Sequence, residues 1–301
     1  MKKRLRPKIP VVTILYGLLF GIWAGIIAGC MSIPDQAIII IGSQDQILGQ
    51  EARTCTSAGV SRAQTHYGYG IDPDGFSVLS WNSHKGSQPG WEEDFAIRGQ
   101  AADFVLLQEA ALDAELKALL SSFASDWLLA VAFQLGEDDI GILSAGRVPA
   151  HFYCALREPE PLIRIPKVIL ASTYPFSGTD RELLIINVHL VNFTFGSEAV
   201  QKQAEALKAI VEHHNGPVII AGDFNTWSEE RQSLIREKMS EIGLAAVEFD
   251  PDNRAEFFNN VVDGLYFRGL IVEKAVSHSV ETSDHNPLEV HFSLPKQGDT
   301  R

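Results

Sequence analysis

Five short stretches of this 301-residue chain set Asn, Asp, Glu or His directly beside an apolar run: Trp81-Asn82, Gln108-Glu109, Asn187-Val188-His189, Gly222-Asp223-Phe224-Asn225 and Ser283-Asp284-His285. A carboxylate, carboxamide or imidazole carried past a buried strand end is poor core material, because each needs a partner once desolvated. Alternate residues of an extended segment point the same way, so Asp223 and Asn225 can face one site together. Glu109 follows the short apolar run 104–107, where a carboxylate is costly without a cation. Carboxylate oxygens suit Mg²⁺, which takes only a few protein ligands and keeps several waters. Taken singly, Asn82 could cap a turn, His189 could be a satisfied core histidine and Asp284 a helix cap or turn former. Five such strand ends in one chain point instead to a shared site.

The elements that must deliver these groups follow from the apolar pattern. Strands are predicted over 76–81, 104–107, 140–143, 167–174, 183–190, 218–221, 262–267, 271–275 and 288–294, bounded by turn residues. Helices are predicted over 91–100, 112–123, 197–213 and 229–242. In the third of these, Val200, Ala204, Leu207 and Val211 recur at helical spacing. Nearly continuous Val/Ile/Leu strands imply sheets covered on both faces, with helices outside. Gly222, which has no side chain, keeps the approach to Asp223 open to a ligand.

The five motifs resemble, in order, the signature blocks of the endonuclease/exonuclease/phosphatase superfamily of metal-dependent phosphoesterases. Leu156-Arg157-Glu158-x-Glu160-Pro161, Val188-x-Leu190-Val191-Asn192-Phe193 and Tyr266-x-Arg268-Gly269 are similar to its bacterial YafD-like branch. The resemblance covers about residues 76–294. It implies an α/β (α+β) four-layer sandwich, two mixed β-sheets packed face to face with helices outside. It implies a phosphoester hydrolase with Mg²⁺ or Mn²⁺ held by Glu109, helped by Asn82 and with Asp284 in support. Asp223 is then the general base, and Asn225 holds the attacking water or a phosphoryl oxygen. His189 and His285 donate to phosphoryl oxygens as charge develops. Asp263, 22 residues before His285, orients that histidine, although Gly264 follows where a bulkier residue is usual. Asn187, Lys85, Arg157 and Arg268 are candidates for substrate phosphate. Arg157 and Arg268 rank above Lys85, Arg164 and Lys167, because they lie in the branch-matching stretches. A non-catalytic, membrane-tethered binding or scaffold protein on the same fold is the alternative. Loss of a key acid or histidine would mark it, and none is lost.

Outside the motifs the chain reads as four parts: residues 1–30, a tether over 31–75, one domain over 76–295, and a tail, 296–301. Lys2, Lys3, Arg4, Arg6 and Lys8 precede twenty uncharged residues, Val11 to Cys30, the layout of an export signal and a length able to span a bilayer. Ile27-Ala28-Gly29-Cys30 resembles the bacterial lipobox, which makes Cys30 a lipidation site and ranks a lipoprotein ahead of an uncleaved anchor. The glycine stripe Gly17, Gly21, Gly25, Gly29 is the feature that favours a packed transmembrane helix. Either arrangement places the body across the membrane, in the periplasm or outside the cell. The tether contains one short apolar run, 37–41. Beyond the basic start, 20 basic residues face 38 acidic ones, so the body carries −18 and repels polyanions. A phosphoester substrate and a membrane are therefore the expected partners, with nucleic acid disfavoured and the oligomeric state open. Cys55 and Cys154 either pair in an oxidising compartment or stay free.

Overall fold

The computed structural model describes residues 31–43, 46–53, 55, 70–161, 163–192, 194 and 196–296. The expected export signal or anchor, including Cys30, lies outside the described residues, as does most of the tail. No helix among the described residues is long and apolar enough to cross a membrane.

Two mixed sheets carry the chain. The first is built from β1 (Met31–Ser32), β2 (Ile38–Ser43), β3 (Ile47–Glu51), β4 (Phe76–Asn82), β5 (Phe104–Ala111), β6 (Asp126–Leu135), β7 (Asp138–Gly146), β16 (Ile271–Ser277) and β17 (Leu288–Ser293). Its order is β16-β17-β4-β5-β7-β6-β2-β3, with β1 paired to β6. The second contains β8 (Phe152–Pro159), β9 (Pro166–Pro175), β10 (Glu182–His189), β11 (Val218–Asp223), β12 (Ala245–Ala246) and β15 (Asp263–Arg268), in the order β12-β15-β11-β10-β9-β8. A two-stranded ribbon, β13 (Glu256–Phe257) and β14 (Asn260–Val261), stands apart. The helices are α1 (Trp91–Ala101), α2 (Ala114–Phe123), α3 (Glu198–Glu212) and α4 (Glu229–Glu241).

Side-chain alternation along the strands makes the layers. In β4 and β5, Val78, Phe104 and Leu106 point into the core shared by the sheets, where they meet Ile185, Ile219, Ala221 and Phe292. Leu79, Trp81, Val105 and Leu107 point outward and pack with Phe95, Leu116 and Leu120 of α1 and α2. In the second sheet Ile186, Val188 and Ile220 face outward onto Val200, Leu207 and Val211 of α3 and Ile235 of α4. Both faces of each sheet are thus covered, and the order is helix, sheet, sheet, helix. The helix expected from residue 112 begins at Ala114, because the Asp113 carboxylate accepts from the Leu116 N–H and caps it.

Two features differ from the sequence-based expectations, and one open alternative is decided. The segment taken as a tether is not one throughout: Ile38–Ser43 pairs with β6 and Ile47–Glu51 pairs with β2, extending the first sheet. The cause is Ile39, which is completely buried in a cluster with Leu128 and Leu170 and is held only if its strand joins the sheet. The strands β6 and β8 were not anticipated, although the apolar run in β6 carries the usual signal. Cys55 and Cys154 form a disulfide, Cα–Cα 5.2 Å, which ties the end of the described N-terminal segment to β8.

Gly222 serves the sheet rather than a ligand. A Cβ there would lie 2.1 Å from the Val188 carbonyl oxygen of β10, and its φ is +142°, in the region that L side chains avoid. The close approach is what lets β10 and β11 end side by side. Gly222→Ala should therefore lower unfolding free energy by about 3 kcal/mol or more in urea titration, the range of backbone clashes in a core. A loss under 1 kcal/mol would contradict the backbone explanation.

Candidate active site

Each sheet holds one parallel pair, and the carboxyl ends of the two pairs meet. In the first, Asn82 of β4 lies opposite Gln108 of β5. In the second, His189 of β10 lies opposite Asp223 of β11, and Asp223 lies opposite Asp263 of antiparallel β15. His285, on the loop before β17, completes the ring, its backbone carbonyl fixed by the Trp81 indole N–H at 2.9 Å.

Asp223 sits at the centre and is nearly inaccessible. Its Oδ1 accepts from the Asn225 N–H at 2.8 Å and its Oδ2 from the Asn82 carboxamide at 3.1 Å. His189 Nε2 is 3.4 Å from the same Oδ2 and 4.0 Å from Glu109. The Lys167 ammonium donates to His189 Nε2 at 2.6 Å, and Lys85 pairs with the Glu109 carboxylate. On the other side, Asp263 Oδ2 accepts from His285 Nδ1 at 2.7 Å. Phe257 of the β13–β14 ribbon lies against the His285 ring and covers it from water. Four residues other than glycine adopt left-handed backbone here: His84, Lys85, Glu109 and Asn225. Strain of this kind is retained where it aims side chains. At Glu109 it coincides with a register shift between β5 and β7, a bulge that turns the carboxylate into the site.

Charges in this enclosed space set one another. Burial pushes the His285 ring down, but the hydrogen-bonded Asp263 carboxylate, then Asp223, outweigh it and raise its pKa to about 10, so it is an imidazolium. Burial, with the Lys167 ammonium, holds His189 well below its usual value against Glu109, so that ring is neutral. Burial also raises Asp223 to about 6, opposed by His285 and reinforced by Asp263. Glu109 goes the other way: burial would raise it, but His189, Lys85 and Lys167 together hold it at about 2.

Most of the site residues expected from sequence come together: Asn82, Lys85, Glu109, His189, Asp223, Asn225, Asp263 and His285. Asp284 is half exposed and pairs with His84 Nδ1 at 3.1 Å. Asn82 is engaged at both ends, donating to Asp223 and accepting from the His84 N–H, so it positions Asp223 in this arrangement. Asn225 donates its carboxamide to the Leu190 carbonyl. Three of the residues assigned to phosphate lie elsewhere. Asn187 is wholly buried and donates to the Leu107 and Leu143 carbonyls while accepting from Gln108 at 2.7 Å. Arg157 donates to the Pro34, Gln36 and Ala132 carbonyls, holding the N-terminal strands against β6. Arg268 is at the far end of β15 from Asp263, about 17 Å away by strand rise. It satisfies the carbonyls of Val211, Ile242 and His214 at the ends of α3 and α4. Lys167, ranked below both arginines by sequence, is the cation in the centre. Its place at the start of β9, opposite Glu158 of β8, is a pairing no local motif records.

The sequence model of the Endonuclease/Exonuclease/phosphatase family matches residues 79–285. The chain belongs to that family. Its members hydrolyse phosphoester bonds, and the chain is an enzyme of this class. A UPF0294 protein of Vibrio vulnificus is 38% identical over 227 residues, covering 75% of this chain and 80% of its own. Another, of Vibrio campbellii, is 33% identical over 284 residues, covering 93% and 99%. Among solved structures, an endonuclease/exonuclease/phosphatase protein of Beutenbergia cavernae matches with TM-score 0.56 at 19% identity, over 73% of this chain and 72% of that one. The human Nocturnin catalytic domain with bound sulfate anion matches with TM-score 0.55 at 18% identity, over 75% and 96%.

The family uses divalent metal, and the site holds two sets of donors for one. Asp223, Asp263 and His285 each present an atom within 4.8 Å of the others. In that cluster, however, His285 Nδ1 and Asp263 Oδ2 are already committed to each other at 2.7 Å. Glu109 offers an ionised carboxylate, about a quarter exposed and paired with the Lys85 ammonium. Hard oxygen donors fit an ion such as Mg²⁺.

The raised His285 pKa has a stability consequence with a definite sign. Folding favours the charged ring, so its contribution is complete below pH about 6.5 and is lost as pH rises towards about 10. Unfolding free energy should fall across that window by up to about 1.4 kcal/mol per pH unit. Asp263→Asn should flatten this slope in denaturant titrations at pH 7 to 10; an unchanged slope would contradict the pairing.

Proposed function

We propose that this chain is a divalent-metal-dependent phosphoesterase in which Asp223 is the general base, with its body held outside the cytoplasm by the N-terminal segment. The observation that carries the reading is Asp223 itself: a buried carboxylate with one oxygen aimed by Asn82 and with an imidazolium and an ammonium close by. Glu109, with Asp284 in support, would hold the divalent ion, whose chemistry there would be to neutralise negative charge as the ester is cleaved. Asp223 Oδ2 takes the proton of the attacking water, and the Asn225 N–H on Oδ1 keeps the carboxylate from rotating. The Lys167 ammonium and the His285 imidazolium oppose the charge that grows on the phosphoryl oxygens. Neutral His189 accepts from Lys167 and so fixes its head, a role other than the direct donation expected from sequence.

Three observations support a location outside the cytoplasm. These are the basic start with its uncharged run, the lipobox-like tetrapeptide ending at Cys30, and the Cys55–Cys154 bond, which suits an oxidising compartment. The acidic body argues against long nucleic acid as the substrate. The non-catalytic reading has nothing specific in its favour, since every acid and histidine it would dispense with is present and engaged.

Asp223→Asn should reduce kcat on a simple phosphodiester by about 10²-fold or more, the usual worth of a positioned base, while the melting temperature stays close to wild type. Wild-type kcat/KM should rise with pH through about 6 as Asp223 ionises. A fully active Asp223→Asn protein, or a rate flat from pH 5 to 7, would overturn the assignment.

A further inference from the structure

The described chain meets its N-terminal segment at the same end of the body as the active site. Met31 and Ser32 of β1 pair with Leu135 and Gln134, the last residues of β6. Gly141 of β7 lies opposite Val131 of β6 and opposite Ala110 of β5, the neighbour of Glu109. Three strand spacings and about four residue rises then put Met31 about 20 Å from Glu109. Arg157 fastens the chain that follows β1, donating to the Pro34 and Gln36 carbonyls at 2.9 and 2.8 Å. Val11 to Cys30, twenty residues without a charge, ends one residue before this point. A bilayer that holds that run, whether spanned by it or joined through lipid on Cys30, therefore has its surface at the active-site end.

The side chains at that end suit such a surface. Of the nine large apolar side chains exposed among the described residues, five stand there: Ile33, Leu135, Ile163, Phe257 and Phe258. Ile33 follows β1 and Leu135 closes β6. Ile163 lies between β8 and β9 and lines one cavity with Lys85, Glu109 and Lys167 of the site. Phe257 lies against His285 on the other side. Phe258 forms with Asn259 the two-residue turn of the β13–β14 ribbon and is 84% exposed. Both turn residues have left-handed backbone, φ 52° and 61°, which suits Asn and is costly for Phe. The Phe258 ring meets that of Trp227 edge-on at 6.3 Å, yet most of its surface stays in water, so the strained turn points to a contact outside the fold. We infer that the active-site end of the body docks on the bilayer that holds the N-terminal segment, with Phe258 and Ile163 entering its surface, and that the site receives phosphoesters presented there. A zwitterionic surface fits, since Glu137 and Asp138 close the turn after Leu135 and the body is acidic. The docking rests on the membrane-anchor reading and the delivery on the phosphoesterase reading.

The test uses the full chain in phosphatidylcholine vesicles. A chain that does not float with the vesicles would overturn the anchor and the docking together. Phe258→Trp adds an indole at the active-site end, and Ile271→Trp adds one at the opposite end, where β16 lies beside the end of β17. With wild-type emission subtracted, brominated phosphatidylcholine should quench the added emission of Phe258→Trp by about half or more, and acrylamide should not. For Ile271→Trp the order should reverse. Quenching of Phe258→Trp by acrylamide alone would overturn the docking. Shielding from both quenchers would put protein on this end, such as a second copy, and would overturn it too. Delivery is read with hexadecyl p-nitrophenyl phosphate in the vesicles against methyl p-nitrophenyl phosphate in solution, at equal bulk concentration with Mg²⁺. The vesicle-held ester should turn over at least about tenfold faster, the effect of a raised local concentration. Phe258→Ser combined with Ile163→Ser should remove most of that gain and leave the rate on the soluble ester unchanged. Equal rates on the two esters would overturn delivery. Lipid quenching of Phe258→Trp with neither ester hydrolysed would uphold the docking and overturn the phosphoesterase reading.

Discussion

One carboxamide beneath the site fastens the two sheets to each other. Where β5 bulges at Gln108 and Glu109 its ladder to β7 opens, and Asn187 of the facing sheet donates to the Leu107 and Leu143 carbonyls there. Gln108 donates back to Asn187 at 2.7 Å. In a largely apolar, buried interface breaking one of these bonds strands a buried polar group. The interface could slide if it were held by apolar contact alone. The carboxamides set its register, and with it the separation of Glu109 on one sheet from His189 and Asp223 on the other.

Above this floor, charge is balanced in two compartments. Asp263 and Asp223 share the imidazolium of His285 on one side, covered by Phe257. Glu109, Lys85, Lys167 and Glu160 alternate in sign on the other, with neutral His189 between. The division gives one wall the imidazolium of His285 and the other a partly buried carboxylate paired with a lysine. A site that must accept both a cation and an anionic ester needs that asymmetry, since a uniformly negative ring would repel the ester and a uniformly positive one the ion.

The strand ends were legible because apolar runs that stop at Asn, Asp, Glu or His leave a local mark; strands apolar on both faces implied covered sheets, and the four-layer order came from the family resemblance. What could not be read locally is where long side chains go once the sheets close. Arg157 and Arg268 sit in conspicuous stretches, yet they satisfy carbonyls at strand and helix ends, a demand created only by tertiary packing. Lys167 looked ordinary and became central because β9 lies next to β10. Gly222 was noticed for the right property and the wrong neighbour: the space it leaves is taken by the backbone of β10. The segment after residue 31 looked too polar to fold, and only the burial of Ile39 draws it into the sheet.

The central claim is that Glu109, and not the Asp223–Asp263–His285 cluster, anchors the divalent ion of a phosphoesterase. Titration of metal-stripped protein with Mn²⁺, followed by electron paramagnetic resonance of the free ion, tests it directly when wild type is compared with Glu109→Gln and Asp263→Asn. Glu109→Gln should weaken Mn²⁺ binding at least tenfold, and Asp263→Asn should leave it within about twofold, because loss of a ligand removes far more affinity than loss of a neighbouring charge. The reverse order, with Asp263→Asn abolishing binding and Glu109→Gln binding like wild type, would contradict it.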